Sequence, residues 1–350
     1  MPWPTRSWPE GRPGWLADLE PFLAEAFDPG GPLGTTYAVV LVHHGRLVLE
    51  RYGGAIEHWD ATSEPVAAET RLLSWSMAKS MLHAALGVLV GRGRLDVDAP
   101  APVPAWRSEG DPRRLITVEH LLSMRDGLDF VEDYEDDRIS DVIHMLFGAG
   151  QDDVAAYATA RPPAAPPGAH FNYSSGTSNI LSWILGGLTG GGEAVVGFLE
   201  DDLFGPIGAT TATPSLDGAG TWIASSYVHA TAQDFARFGY LYLRDGEWDG
   251  CRILPPGWVD HGRRPRSVDP EGLGYGAHWW VVGDDHGSFA ATGYEGQQIV
   301  VCPGLDAVLV RLGKTPAARY PDLRRWRARV LATVADATSA AGTSDRRDAR

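Results

Sequence analysis

Residues 76–90, SMAKSMLHAALGVLV, say more about the fold than any other stretch of this sequence, and Gly91-Arg92-Gly93 follows them. Residues 81–90 are apolar almost all round a helical turn, which is typical of a helix inside a core. The glycines at 91 and 93 are a helix-ending signal. The stretch therefore predicts a buried helix whose first turn begins near Ser76.

Lys79 is one of only two lysines in 350 residues, the other being Lys314, whereas the chain has 28 arginines. An arginine keeps its proton in proteins, but a lysine can lose its proton when the surroundings disfavour the charge. Residues three apart share a helix face, so the Lys79 amine can reach the Ser76 hydroxyl. Burial can lower a lysine pKa enough to make it a base. The pair is predicted to be a nucleophile with an adjacent proton acceptor.

Composition argues against several classes of protein. The net charge of −15 disfavours a nucleic-acid partner, which calls for a basic surface. No run approaches the ~20 apolar residues of a membrane span, and the first residues lack an apolar signal-peptide core. Two cysteines, Cys251 and Cys302, cannot make a disulfide framework. We expect a cytoplasmic protein with free thiols and no membrane or nucleic-acid partner.

Strand-like segments lie at both ends of the chain, with helical segments between them. Residues 36–42 and 47–52 predict a hairpin, and strand-like runs return between 275 and 312. A proline-rich break at 99–104 marks the start of the helical stretch. We predict three parts, which are a discontinuous α/β domain of residues 1–98 and 215–336, a helical domain of residues 99–214, and a disordered tail of residues 337–350.

Two later segments offer the other groups that a serine–lysine pair needs, a second proton carrier and donors for a developing oxyanion. Residues 168–176, GAHFNYSSG, place Tyr173 on a loop before a predicted helix. Residues 291–297, ATGYEGQ, lie at the end of a predicted strand. In the strand-like run 275–282, Trp279 and Trp280 alternate, so we expect one in the core, while the other could line a cleft.

Together these segments resemble the serine β-lactamases and penicillin-recognising hydrolases, in particular their class C-like branch. SMAK at 76–79 matches S-x-x-K, YSS at 173–175 matches Y-x-N/S, and ATG at 291–293 stands in place of K-T-G or H-T-G. The resemblance spans about residues 35–335 and includes ITVEHLLSMRDGL at 116–128 and ATAQDFARFG at 230–239. DYED at 133–136, with FNYSSG at 171–176, most resembles the 6-aminohexanoate-dimer hydrolases and related carboxylesterases. It implies an α/β (α+β) fold, an antiparallel sheet flanked by helices with an inserted all-helical domain.

The resemblance also implies roles for single residues. Ser76 would be the acylated nucleophile, Lys79 its proton acceptor, and Tyr173 the hydroxyl that passes a proton to the leaving group and later helps to activate water. The backbone N–H groups of Ser76 and Tyr294 would form the oxyanion hole. Tyr134 would lie on a substrate-side loop and could hydrogen-bond an amide leaving group. The other predicted substrate-binding residues are Trp75, Ser175, Thr292 and Gly293.

Two positions depart from the family pattern. Ala291 stands where the family has a Lys or His that holds the carboxylate of β-lactams and of D-Ala-D-Ala substrates, and Ser175 replaces the Asn of Y-x-N. Both departures argue against those activities and favour a neutral or differently charged acyl substrate. Lys314 is expected at a strand end on the surface, so Lys79 would be the only lysine in the active site.

The sequence indicates no metal and no cofactor. Gly313-Lys314-Thr315 is not a P-loop ending, because Val308 stands where the loop needs glycine, and no histidines have metal-binding spacing. The leading hypothesis is a serine hydrolase that cleaves small amides or carboxylic esters. The alternatives are a D-aminopeptidase, D,D-peptidase or β-lactamase relative, and a non-catalytic binding scaffold. The oligomeric state is left open, with a homodimer as one alternative.

Overall fold

The computed structural model describes residues 3–57 and 62–348. Its strands are β1 (Thr35–His43), β2 (Arg46–Tyr52), β3 (Ala55–Glu57), β4 (Thr62–Pro65), β5 (Leu72–Leu73), β6 (Thr213–Pro214), β7 (Val228–Ala230), β8 (Glu247–Trp248), β9 (Cys251–Arg252), β10 (Ser267–Val268), β11 (Gly274–Tyr275), β12 (Trp280–Val281), β13 (Phe289–Gly293), β14 (Gln297–Cys302) and β15 (Ala307–Lys314). Its α-helices are α1 (Glu20–Ala26), α2 (Met77–Gly91), α3 (Val118–Leu122), α4 (Asp141–Phe147), α5 (Val154–Thr159), α6 (Ser175–Thr189), α7 (Glu193–Leu199), α8 (Ala232–Leu243), α9 (Trp258–Arg263) and α10 (Tyr320–Asp348).

An eight-stranded antiparallel sheet forms the centre of the fold, in the order β10-β11-β12-β13-β14-β15-β1-β2. The predicted hairpin is the pair β1 and β2, joined by a tight turn in which His44 and Gly45 take positive φ. β1 pairs with β15 over its whole length, so strands from the two ends of the sequence lie side by side. The sheet is therefore completed only when the chain returns after its helical stretch.

Helices cover both faces of this sheet. Alternate residues of β1 point to opposite faces, as in any strand. Val40 and Val42 belong to the larger core, which contains α2 and α8, whereas Val39 and Leu41 belong to a second core with α1 and α10. Because both faces are covered, β1 is a continuous apolar run and not an alternating one. This arrangement confirms the predicted fold class.

The chain between β5 and β6 contains helices α2–α7 and no strand. Short 3-10 helices at Pro104–Trp106 and Pro112–Leu115 lead from α2 into α3, and a π-helical turn at Glu200–Phe204 follows α7. The division into a discontinuous α/β domain and an inserted helical domain remains our proposal.

Two predictions about the C-terminal half differ from the structure. The strand-like run 275–282 is divided between two short antiparallel strands, β11 and β12. The chain bends at Gly276, where a Cβ would lie 2.0 Å from the Gly262 carbonyl oxygen. The tail predicted from residue 337 is helical through Asp348, as the end of α10. Extending an existing helix costs less than starting one, which favours continuation beyond the packed residues of α10. Residues 349 and 350 lie outside the described residues.

Neither a spanning helix nor a metal cluster is present in the described ranges, 3–57 and 62–348. No single helix there is long and apolar enough to cross a membrane, although the pair Ser175–Thr189 and Glu193–Phe204, bent by 91°, passes that test by length and composition when taken together. No group of three or more His, Cys, Asp and Glu side chains in those ranges is placed to hold a metal ion.

Candidate active site

Ser76 lies at the start of α2, in a turn whose backbone aims it into a cavity. The preceding residue, Trp75, has a φ of +45°, a strained conformation for a side chain of its size. The amides of Met77, Ala78 and Lys79 make the turn bonds that begin the helix, to the carbonyls of Ser74, Trp75 and Ser76. The Ser76 amide takes no part in these bonds.

Lys79 is buried one turn further along α2, with only 2% of the residue exposed. Its Nζ has three hydrogen-bond partners, the Ser76 hydroxyl at 3.0 Å, the Ser175 hydroxyl at 3.0 Å and the Ser225 carbonyl at 2.9 Å. Burial lowers the pKa of Lys79 to about 8, against the opposing effect of the Glu132 carboxylate. A lysine in this state can accept a proton near neutral pH.

Tyr173 approaches Ser76 from the loop before α6. Its hydroxyl hydrogen-bonds Ser76, and its ring centre lies 5.0 Å from Lys79 Nζ. The ring packs against Tyr275 and Trp280, at 5.9 and 5.5 Å between ring centres. Burial and the Glu132 carboxylate raise the pKa of Tyr173, so it carries its proton at neutral pH and can pass one on.

Glu132 is the most important group that sequence reasoning missed. Its carboxylate accepts hydrogen bonds from the Ser175 amide at 2.7 Å, the Ser175 hydroxyl at 2.5 Å and the Tyr134 hydroxyl at 2.6 Å. Ser175 in turn accepts from Lys79. Only the acidic run at 132–137 could have drawn attention to it, and an acidic run on a loop usually indicates a solvated surface.

Ser225 was also missed, because only its backbone carbonyl contacts the site. The side-chain amide oxygen of Asn179 accepts from the Ser225 amide at 3.1 Å, and the Ser74 hydroxyl donates to the Ser226 carbonyl at 3.1 Å. These bonds attach the segment before β7 to α6 and to the start of α2. A carbonyl can be supplied by any residue type, so no sequence motif marks it.

Tyr134 lines the cavity from the loop before α4. The residue is 41% exposed, but its hydroxyl end lies against Glu132 and Ser76. At that end, loss of solvent and the Glu132 carboxylate raise the pKa of the phenol. Its ring lies 5.1 Å from the ring of Tyr294, which in turn lies 5.5 Å from that of Trp75.

The end of β13 approaches the start of α2 very closely. A Cβ on Gly293 would lie 2.4 Å from the Ser74 carbonyl oxygen and 3.1 Å from the Trp75 Cβ, so glycine is required for this approach. Thr292, Gly293 and Tyr294 line the cavity, whereas Ala291 is buried in the core. The approach brings the Tyr294 backbone towards Ser76, but the oxyanion hole itself remains a prediction.

The cavity has a volume of about 850 Å³, which suits a ligand larger than a simple ester. β12 pairs with β13 only at Phe289 and Ala290, so the edge of β13 beyond them is open on that side. The cavity has Ser76 among its lining residues and also Arg324 and Arg327 of α10. Trp279 is buried in the core and Trp280 lines the cavity, as expected.

The fold and the contact between Ser76 and Lys79 are consistent with a serine hydrolase, and comparison with known proteins gives the family. The Beta-lactamase family model matches residues 34–333, so the chain belongs to that family. A 6-aminohexanoate-dimer hydrolase of Paenarthrobacter ureafaciens is 29% identical over 280 residues, which cover 74% of this chain and 69% of the relative.

Solved structures share the fold. A candidate 6-aminohexanoate-dimer hydrolase from Bacillus anthracis has a TM-score of 0.70 at 23% identity, covering 84% of this chain and 78% of the other. A family VIII carboxylesterase has a TM-score of 0.71 at 15% identity, covering 91% of this chain and 99% of the other. At these identities the likeness concerns the fold alone.

Proposed function

We propose that this protein hydrolyses small amides or carboxylic esters through an acyl-enzyme formed on Ser76. The observation that carries the proposal is the Ser76 hydroxyl, which lies at the cavity wall with Lys79 Nζ at 3.0 Å and the Tyr173 hydroxyl as a second partner. A nucleophile, a base of lowered pKa and a protonated carrier are thus in direct contact.

Acylation begins at Lys79. With a pKa of about 8, about a tenth of the molecules carry a neutral lysine at pH 7. The amine takes the hydroxyl proton of Ser76 while the serine oxygen bonds to the substrate carbonyl carbon. Negative charge then develops on the carbonyl oxygen, and the N–H groups of Ser76 and Tyr294 are the proposed donors to it.

The leaving group needs a proton as its bond to the carbonyl carbon breaks. The proton taken up by Lys79 reaches the leaving nitrogen or oxygen through the Tyr173 hydroxyl, since Tyr173 hydrogen-bonds Ser76 and its ring lies against Lys79. Water then attacks the ester carbon, gives up a proton to the same groups and releases the acid, which restores the Ser76 hydroxyl.

The substrate class is proposed from the relatives and from the cavity wall. The 29% identical relative is a 6-aminohexanoate-dimer hydrolase, and a role for Tyr134 in contacting the substrate is supported by its hydroxyl, which lies against Glu132 and Ser76 at the cavity. We propose a linear amide or ester of that type. The D-aminopeptidase, D,D-peptidase and β-lactamase alternatives lose support from Ala291, which is buried and brings no cation to the cavity.

Turnover of p-nitrophenyl acetate tests the proposal, with a panel of linear amides that includes the 6-aminohexanoate dimer. We expect release of p-nitrophenol by the wild type and loss of that activity in Ser76→Ala. Ser108→Ala, on an exposed loop, is the matched control and should keep it. Equal turnover in Ser76→Ala and the wild type would exclude the acyl-enzyme, and a binding scaffold would give no turnover at all.

A further inference from the structure

The three partners of Lys79 Nζ differ in what they can do with a proton. A protonated lysine has three N–H groups, which match the three partners at 2.9–3.0 Å. A neutral lysine has only two N–H groups and one lone pair. Catalysis needs that lone pair to face Ser76. The other two partners must therefore not donate a hydrogen bond to it.

Ser225 cannot claim the lone pair, because its contact is a carbonyl oxygen, which only accepts. Ser175 could, since a hydroxyl can donate its single proton in any direction that its rotation allows. At 3.0 Å from Nζ, Ser175 is as close to the lysine as Ser76 is. Without a constraint, the two serines would compete for one lone pair.

Glu132 supplies the constraint. Its Oε1 lies 2.5 Å from the Ser175 hydroxyl, and an ionised carboxylate only accepts. The Ser175 proton therefore points at Glu132, and the Ser175 oxygen can only accept from Lys79. With Ser175 and Ser225 both acceptors, the two N–H groups of the neutral lysine are used, and the lone pair is left for Ser76.

We propose that Glu132 is a positioning residue that fixes the direction of the Ser175 hydroxyl and so directs the free electron pair of Lys79 to Ser76. This inference rests on the proposed function. It assigns a role to Glu132 and a new role to Ser175, which was expected only to bind substrate. Glu132 touches neither the serine nucleophile nor its base in this role and acts through Ser175.

The same arrangement also suits the next state of the reaction. When the O–H bond of Ser76 breaks and an N–H bond forms on Lys79, the ammonium has three protons for the Ser76 oxygen, Ser175 and Ser225. No partner needs to rotate during the transfer. The negative charge of Glu132 also favours the ammonium, because it acts to raise the pKa of Lys79.

Glu132→Gln should reverse the direction in which the Ser175 hydroxyl donates its proton, and not merely weaken its hydrogen bond. The Ser175 amide, which donates to the other carboxylate oxygen at 2.7 Å, would claim the single amide oxygen of glutamine. The glutamine NH₂ group would then face the Ser175 hydroxyl and donate to it. The Ser175 proton would turn to Lys79 and occupy the lone pair, which would leave Ser76 without a base.

The test is the rate at which a fluorophosphonate inactivates the purified full-length protein, measured from pH 5 to 10. Wild-type reactivity should rise with pH around the Lys79 pKa of about 8, because the neutral lysine is the active form. Glu132→Gln should lower the maximal rate by about 10- to 100-fold, as expected for a hydrogen bond to a charged group. In this variant the rise of the inactivation rate with pH should occur at lower pH, since the carboxylate no longer raises the pKa of Lys79.

A double variant shows whether Glu132 acts by directing the Ser175 hydroxyl or only by supporting the local structure. In Ser175→Ala no second hydroxyl competes for Lys79, so Glu132→Gln/Ser175→Ala should react faster than Glu132→Gln alone. Asp137→Asn removes an equal charge from the same exposed loop and should match the wild type. Glu132→Gln matching Asp137→Asn, or further loss in the double variant, would overturn the role of Glu132. A wild type that does not react would instead reject the proposed function, and this role with it.

Discussion

At the scale of single residues, the surroundings of Lys79 set its pKa. Lys79 is buried, and none of its hydrogen-bond partners in the described ranges is a carboxylate; Glu132 is linked to it through Ser175. Burial therefore dominates and lowers the lysine pKa to about 8. A carboxylate in direct contact would oppose that effect and favour the charged form. The intervening serine keeps the negative charge near while leaving the lysine able to lose its proton.

Lys79→Arg tests this basicity with little change in charge. The guanidinium stays protonated at neutral pH, so it cannot take the Ser76 proton. We expect turnover of p-nitrophenyl acetate to fall by at least ~100-fold, the usual contribution of a general base. Lys314→Arg makes the same substitution at a strand end and should keep the activity. Wild-type rates in Lys79→Arg would exclude this lysine as the base.

Some of the site was predictable from the sequence, and the reason is spacing. Ser76 and Lys79 are three residues apart on one helix, so their contact follows from helix geometry. The contact of Tyr173 with them was implied only by family resemblance. Glu132 and Ser225 could not be found in this way, because their distances to Lys79 depend on how β7, α6 and the loop before α4 pack together.

At the scale of elements, the contact between the end of β13 and the start of α2 decides the shape of the site. Gly293 has an extended backbone with a φ of −128°, so conformational strain is not the reason for glycine. The reason is space, since a Cβ there would overlap the Ser74 carbonyl. This contact sets the distance between the strand that carries Tyr294 and the turn that carries Ser76.

Gly293→Ala should therefore affect both stability and catalysis. We expect a loss of about 1–3 kcal/mol in the free energy of unfolding, as for other overpacked sites, measured by urea denaturation. The shift of β13 should also lower kcat/KM. Gly197→Ala is the control on α7, where a Cβ meets no atom within 4 Å, and it should leave kcat/KM unchanged. An active and equally stable Gly293→Ala would contradict the close approach.

Element boundaries show where local pattern fails. The core helix, the hairpin and the strands of the central sheet follow from apolar periodicity. The turn between β11 and β12 does not, because its bend depends on the close approach of Gly276 to the Gly262 carbonyl. The extension of α10 to Asp348 was missed because the prediction for residues 337–350 used their composition alone. Composition does not take into account that a helix precedes these residues and can continue through them.

At the scale of the whole molecule, the cavity contains charges of both signs. Glu132 is at the Ser76 site, and Arg324 and Arg327 contribute from α10. Arg324 pairs with Glu271 at 3.2 Å. Arg327 is only 9% exposed, and no hydrogen bond or ion pair joins it to any residue in the described ranges, although Asp284 is near enough to favour its charge. The two arginines thus bring positive charge to the cavity from α10, and not from β13, the strand that carries Ala291.

This arrangement predicts a preference among substrates. We expect p-nitrophenyl esters of dicarboxylic acids to have a lower KM than methyl-ended esters of equal length, because a distal carboxylate can pair with Arg327. Arg327→Gln should raise the KM of the carboxylate-ended ester by roughly tenfold and leave that of the methyl-ended ester unchanged. Arg325→Gln, at an exposed position on the same helix, is the control. Equal KM values for both esters in the wild type would contradict the preference.

The burial of Lys79 has a practical consequence for handling the protein. Amine-reactive reagents need an accessible amine, and Lys79 Nζ lies behind Ser76 in a residue that is 2% exposed. The Lys314 side chain is 39% exposed. Apart from the chain's α-amino group, covalent coupling through amines should therefore occur at Lys314 alone. The protein could be immobilised or labelled with a dye at one defined side chain while Lys79 stays protected.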